Sequence, residues 1–468
     1  MPPVPALAAG SARSRLERYL ERIERLNARV NAVVTLDAER ARRRADGIDA
    51  ALAQGERPGP LAGAAVTIKD ALETEGIRTT CGAPQWATHL PGANAAAVQR
   101  LIDAGCTVFG KTNVPIYAGD LQSYNILFGA TNNPWDSSRT AGGSSGGAAA
   151  AVACGLTDFE LGSDIGGSIR TPAHFCGVYG HKPSFGLVPF RGHIPPPPGV
   201  IAAPDLAVIG PLARGAEELA RVLRAIAGAE HAPSFALAPP RHNRLRDFRA
   251  AVWFEDAEFP LDDAVREVLE AAVEALGRAG VRLERVRPGP PLAKILDDYL
   301  RLLWPVTTAH LTPRALAHLV ESGAEHAPDS WHAKLARYAV ATHRDWLAVH
   351  ERRERLRARM ERFFRDHDVL LMPVNPVAAF PHDHGEDLMA RAVLVNGKPR
   401  WYWEQLAWIA LATMAYLPAT VAPLGLSRGG LPVGLQIVGA AFEDLTTIEF
   451  AHRVQEVIGG YVAPPGFE

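Results

Sequence analysis

Cysteine is scarce in this sequence: four in 468 residues, Cys81, Cys106, Cys154 and Cys176, widely spaced and without a CxxC pair. That scarcity excludes a disulfide framework and a zinc ribbon, and the four read as small, buried, reduced residues. An excess of one charge is also missing. The formal net charge is -2, with Lys and Arg interspersed among Asp and Glu, so nucleic acid and anionic membranes are not expected partners. No apolar run is long enough to span a bilayer. The first fifteen residues, broken by Pro2, Pro3, Pro5, Arg13 and Arg15, lack the apolar core of a secretory signal. Cytoplasmic residence follows as the default expectation. There is no internal repeat and no clear linker.

What is present is a globular balance, 47% hydrophobic and 21% charged residues, enough to bury a sizeable core. Leu16, Leu20, Ile23 and Leu26 recur at helical spacing between Ser11 and Asn27, and an Arg-rich helix follows as far as Gln54-Gly55. Residues 1–55 are therefore expected to form a helical segment packed on a core spanning 56–468. In that core β-branched runs (Leu61 to Ile68, Thr107 to Phe109, Ala250 to Phe254, Val369 to Val374, Ala419 to Leu424, Val433 to Gly439) alternate with helical patterns, the rhythm of an α/β fold. Residues 290–367 read as a mostly helical, variable region. Residues 130–190 are dominated by Gly, Ser, Asn and Pro, a mid-chain composition typical of a functional site. Pro195 to Pro198 must be extended or turning, either a plain linker or a lip of that site.

Four motifs could carry chemistry. Gly105 to Thr112, GCTVFGKT, fits a phosphate-binding loop letter for letter, but Cys-Thr-Val-Phe are strand formers and Asn113-Val114-Pro115 starts a helix poorly. A strand followed by a turn fits better. GGSSGG at 142–147 allows close backbone approach, yet a serine there is equally an ordinary helix cap. GSDIGGSIR at 162–170 could form a concave nest of amides around Ser168, or simply a glycine bulge with an Asp164–Arg170 ion pair. Lys69 ends an apolar run; exposed it would be inert, whereas burial beside hydroxyls would make it a neutral general base. The His382-Asp383-His384 triplet lacks a spaced third ligand, and no metal is expected.

Taken together and in this order, these elements resemble the amidase signature family. The densest stretch runs from TNNPWDSSRTAGGSSGGAAAAVACG to GSDIGGSIRTPAHFCGVYGHKPSFGLVP (131–189), supported by GKTNVP, GPLAR at 210–214 and GLPVGLQIVG at 430–439. The resemblance implies an α/β single large domain with a central mixed, twisted β-sheet flanked by helices on both sides. It also implies amide hydrolysis without a metal or organic cofactor. Residue by residue, it makes Ser168 the nucleophile, Ser144 the serine after a cis peptide bond at Gly143, and Lys69 the base. Ser145 would support them, Ile165, Gly166, Gly167 and Ser168 would supply the oxyanion-hole amides, and Asp164 and Arg170 would brace the loop. Ile116 stands where many relatives have glutamate. DLQSYNILF (120–128) lies where relatives shape the acyl pocket, with Gln122 and Ser123 as candidate substrate contacts.

The resemblance leaves the substrate open. Trp86, Tyr124, Phe128, Phe190, Trp401 and Trp403 favour a roomy, aromatic site, hence an apolar or aryl amide or a carbamate as small-molecule substrate, in a monomer or homodimer. The alternatives are the amidase-type subunit of a glutamyl-tRNA amidotransferase, which releases ammonia from glutamine, and a binding protein that kept the fold without the chemistry. A nucleotide-binding enzyme is the third.

Overall fold

The structure, a computed structural model, describes residues 10–228 and 236–468; residues 1–9 of the expected N-terminal segment lie outside them. A three-stranded sheet is built from β1 (Val33–Leu36), β2 (Ala65–Lys69) and β3 (Thr107–Thr112) in the order β1-β3-β2. β3 pairs parallel with β2 and antiparallel with β1. The main sheet has eight strands: β4 (Phe159–Asp164), β5 (Tyr179–Lys182), β6 (Val208–Ala213), β7 (Arg249–Val252), β8 (Arg282–Arg285), β9 (Val369–Pro373), β10 (Ala419–Leu426) and β11 (Pro432–Val438). Their order is β8-β7-β9-β11-β10-β5-β6-β4. β7 pairs parallel with β8 and β9 while the remaining neighbours run antiparallel, so the sheet is mixed.

Helices flank this sheet. Gly146–Ala153 and Arg170–Cys176 pack together on β6, β10 and β11; Ala216–Ile226, Asp263–Arg278 and Asp444–Ile458 form a second group on β10 and its neighbours. The central strands β9 and β11 are buried along their whole length and mostly apolar because both faces are covered, as expected of a sheet between two helical layers. Residues 290–367 are mostly helical, with helices at Leu292–Thr308, Pro313–Ala324, Trp331–Ala339 and His343–Asp366.

The helices Ala12–Val30 and Ala38–Ala53 bury Leu16, Ile23, Ala41 and Ile48 in one apolar cluster with the Ala148–Ala153 stretch. Ser11 caps the first of them, accepting from the Ser14 N–H at 3.1 Å. Between the two lies β1, a strand the helical periodicity hides. The phosphate-loop look-alike is indeed a strand, continuing through Lys111 to Thr112; buried Lys111 donates to Leu72 O and to Thr74 Oγ1. All four cysteines are buried and unpaired.

Two features position the site. The small sheet docks onto the edge strand β4: Ala65 N–H donates to Asp158 Oδ2 at 2.9 Å, and Thr67 Oγ1 donates to Glu160 Oε1 at 2.6 Å. The end of β2 is thereby set beside the end of β4. The second feature is Gly143, where an added Cβ would lie 2.4 Å from Asp120 O and 2.6 Å from Leu121 C. Those are backbone atoms and cannot swing aside. Gly143→Ala is therefore expected to lose about 1–3 kcal/mol of stability and to displace Ser144, read as a lower melting temperature together with lower activity; an unchanged melting temperature would refute the packing argument.

Candidate active site

Lys69 ends β2 and is fully buried. Its Nζ lies 2.7 Å from Ser144 Oγ, 2.9 Å from Ser145 Oγ and 2.9 Å from Ser163 Oγ. Three hydroxyls replace water, and none of them carries charge. Burial therefore drives the amine down to about 7 against the opposing pull of Cys81, Asp164 and Glu160. Ser145 occupies the N-cap position of the helix Gly146–Ala153 but its side chain does not cap it, being engaged with Lys69 instead.

The peptide bond Gly143–Ser144 is cis. The Ser145 N–H donates to Ser168 O at 3.1 Å, which seats the GGSSGG turn against the GSDIGGSIR turn. Ser123 braces the first turn, donating to Gly142 O at 2.9 Å and accepting from Gly146 N–H at 3.0 Å. Gln122 bonds through both ends of its amide to the backbone of Asp383, at 2.7 and 3.0 Å. Both residues expected to touch substrate thus have their polar atoms engaged inside the protein, 0% and 2% exposed.

The second turn hangs on Asp164, at the end of β4. Arg170 donates to it through Nε at 3.0 Å and Nη2 at 2.8 Å, both side chains fully buried. Burial alone would raise the carboxyl, but the Arg170 charge and hydrogen bonds overcome it and leave Asp164 at about 2. Arg170 is itself tied to Ile409 O, Gln436 Oε1 and Thr413 Oγ1. Asp164 also accepts from Gly167 N–H at 2.9 Å and Ile169 N–H at 3.1 Å. This corrects one expectation: the Gly167 amide faces Asp164 and is not offered to an oxyanion. Tyr299, from the helix Leu292–Thr308, donates to Ile165 O at 2.6 Å and fixes the far side of the turn. Next to the turn lie Leu406, 3.5 Å from where a Gly166 Cβ would be, and Ile409, 3.4 Å from one on Gly167.

Sequence reasoning missed Ser163 and His193. Ser163 lies inside GSDIGGSIR, but nothing in that motif gives it a task of its own, and His193 is a lone histidine before prolines, with no spacing to mark it. Of the aromatic residues expected to line a pocket, Phe190 stacks on His193, Trp401 stacks on Trp331, and Trp403 meets Trp304 edge-on. His384 stacks on Tyr124, and no three His, Cys, Asp or Glu converge as a metal site among the described residues. None of the described helices is long and apolar enough to cross a membrane.

An α/β fold that sets a buried amine ringed by serine hydroxyls, at the end of the small sheet, near a glycine turn held by an arginine–aspartate pair on the main sheet fits a hydrolase of the acyl-transfer kind. The amidase family model matches residues 15–448. A glutamyl-tRNA(Gln) amidotransferase subunit from Synechococcus sp. (strain RCC307) is 32% identical, covering 96% of this chain and 95% of that protein, and further relatives at 31–34% identity carry the same description. Among solved structures, an inhibitor-bound complex described in connection with the origins of an s-triazine catabolic enzyme has a TM-score of 0.81 and 27% identity over 97% of this chain and 96% of that one. One described as an amidase has a TM-score of 0.76 and 31% identity over 96% and 97%. The chain belongs to the amidase family, the amidase signature enzymes, and is a hydrolase of carbon–nitrogen bonds. Between the substrate alternatives, the relatives favour the amidotransferase role over the lean towards aryl amides or carbamates.

Proposed function

We propose that this protein hydrolyses the C–N bond of a small amide through an acyl-serine on Ser168, with Ser144 relaying protons to and from Lys69. The observation that carries this reading is the Lys69 amine, buried among three serine hydroxyls and brought to about 7. A neutral amine at physiological pH takes a proton through Ser144 as the Ser168 hydroxyl attacks the carbonyl carbon. The oxyanion is received by the amides of Ile165, Gly166 and Ser168, with Gly167 engaged by Asp164. The proton returns to the leaving nitrogen, the amine departs, and water cleaves the acyl-serine by the same relay, giving acid and regenerated enzyme.

For the substrate, the relatives support the side-chain amide of glutamine and a place in an amidotransferase built from several subunits. A second reading, a neutral amide or carbamate with an apolar acyl group, is favoured by Leu406 and Ile409 beside the glycine turn, since an apolar wall offers nothing to the charged α-ammonium and α-carboxylate of glutamine. The test is a panel of glutamine, anilides, aliphatic amides and aryl carbamates given to the purified protein alone, beside Ser168→Ala and Lys69→Ala. Turnover of glutamine, or activity only with partner proteins, supports the first reading; turnover of neutral amides without glutamine supports the second. Activity that survives Ser168→Ala would sink both.

The base also predicts a pH profile. Only the neutral amine accepts a proton, so kcat/KM should rise about tenfold per pH unit below the amine's pKa of about 7 and level off above it. Among the described residues, Cys81, Asp164, Glu160 and His193 are titratable groups whose charge would bear on Lys69. A profile that falls with rising pH across this window would rule out Lys69 as the base.

A further inference from the structure

Ser163, one of the three hydroxyls around Lys69, has a second partner: its Oγ lies 2.8 Å from His193 Nε2. The other ring nitrogen, Nδ1, lies 2.8 Å from Pro195 O. A carbonyl oxygen can only accept, so Nδ1 carries the imidazole proton and Nε2 is left with a bare lone pair. Nε2 must then accept from the Ser163 hydroxyl. Having donated there, Ser163 can meet Lys69 only as an acceptor.

Ser145 is committed in the same sense. Its hydroxyl has Ser163 O as an acceptor at 3.4 Å, so it too takes an N–H from Lys69. A neutral primary amine has two N–H bonds and one lone pair. With both N–H bonds given to Ser145 and Ser163, the lone pair faces the remaining neighbour, Ser144 Oγ at 2.7 Å.

We propose that His193 is a positioning residue that acts through Ser163 to fix the direction of the hydrogen bonds around Lys69, turning the amine's lone pair towards Ser144. The inference rests on the triad reading above and deepens it. When Lys69 gains a proton, only the link to Ser144 reverses; the bonds to Ser145 and Ser163 already run from nitrogen to oxygen. The proton is thus taken up and returned without any other hydroxyl having to turn, the pre-organisation that lowers barriers in buried sites.

The fold holds the imidazole for this task. The backbone around His193 is pinned to the residues just after Lys69: Ile194 N–H donates to Ala71 O at 2.8 Å, and Glu73 N–H donates to Gly192 O at 2.8 Å. The ring stacks on Phe190 with centroids 4.5 Å apart. Burial, followed by the nearby Lys69, holds its basicity down to about 3, consistent with a neutral acceptor. The proline run 195–198, open in the sequence as linker or lip, supplies the carbonyl that sets the tautomer.

The test uses the full-length protein and the amide it turns over best in the panel. His193→Phe keeps a stacking ring and removes the acceptor, freeing the Ser163 O–H to compete with Ser144 for the lone pair. The expected result is a kcat about 10- to 100-fold lower with KM changed less than about twofold. In a Ser163→Ala background the same substitution should add less than about twofold, because the hydroxyl it orients is gone. His193→Gln, whose amide oxygen can reach Ser163, should recover part of kcat. If His193→Phe does not fold, His193→Asn replaces it: its amide can still donate to Pro195 O but offers Ser163 nothing, and the same loss is expected. Wild-type kcat in the folded variant, an equal loss with and without Ser163, or an effect on KM alone overturns the proposal. Ser168→Ala and Lys69→Ala run alongside separate the two levels. If they are inactive while the His193 variants are intact, only this inference fails; if they are active, the triad reading fails as well.

Discussion

Ser168→Ala is expected to reduce amide hydrolysis by at least about 1,000-fold, with the melting temperature within a degree or two of the parent. The expected size follows from the arrangement. On the proposed mechanism, removing the Ser168 hydroxyl leaves the amide nest and Lys69 in place, so only catalysis by binding and oxyanion stabilisation remains. The change removes a single oxygen from a buried residue, 6% exposed, so little packing volume is lost. Lys69→Ala should fall to a similar level, and the double variant should be little worse than either, because groups acting as one unit lose their joint contribution only once. Steady-state rates on the three proteins settle this. Losses that multiply in the double variant would mean that Lys69 and Ser168 act independently.

The second large effect concerns stability. Arg170→Met should destabilise the protein by about 3–5 kcal/mol, because it leaves the Asp164 carboxylate buried and unpaired. More than one bond is involved. Arg170 joins β4 to Ile409, Thr413 and Gln436, and so ties the turn that carries Ser168 to the helix Ala407–Met414 and to β11. Asp164 in turn holds the amides of Gly167 and Ile169. Urea denaturation should show a lower midpoint and the folded remainder should be catalytically poor. Arg170→Lys should rescue little, because one ammonium cannot reproduce the forked geometry. A loss below about 1 kcal/mol would mean that water or another cation replaces the guanidinium.

The fold was legible where periodicity was strong. The helices at Ala12–Val30 and Asp263–Arg278 and the apolar strands β9 to β11 lie within a few residues of the patterns that announce them. Elements without contrast were not. The helix Ala407–Met414 is buried on every side, which erases the 3.6-residue alternation. β5 reads Tyr-Gly-His-Lys, a sequence that looks like a polar loop; it forms a strand because His181 is paired with Thr420 and Asp444 inside the protein. The site divides the same way. Lys69, Ser144 and Ser168 stand in motifs whose combination is distinctive, whereas His193 acts through one hydrogen bond to a residue thirty positions away, and no local spacing encodes such a contact. Gln122 and Ser123 stand out in the sequence for their polarity beside the site. Burial turns that polarity inward, to Asp383 and to the turn itself.

The way Lys69 is enclosed also bears on how the chain acquires its activity. Its three hydroxyl partners come from two separate stretches, residues 144–145 and residue 163, and the histidine behind them from a third. Until all of these have closed around β2, water reaches the amine and it keeps its proton. The proposed base is thus created by contacts between distant segments rather than by any one of them, and contacts so distant in sequence form slowly. Recovered activity would then lag recovered secondary structure during refolding, making catalysis a readout of the finished tertiary structure.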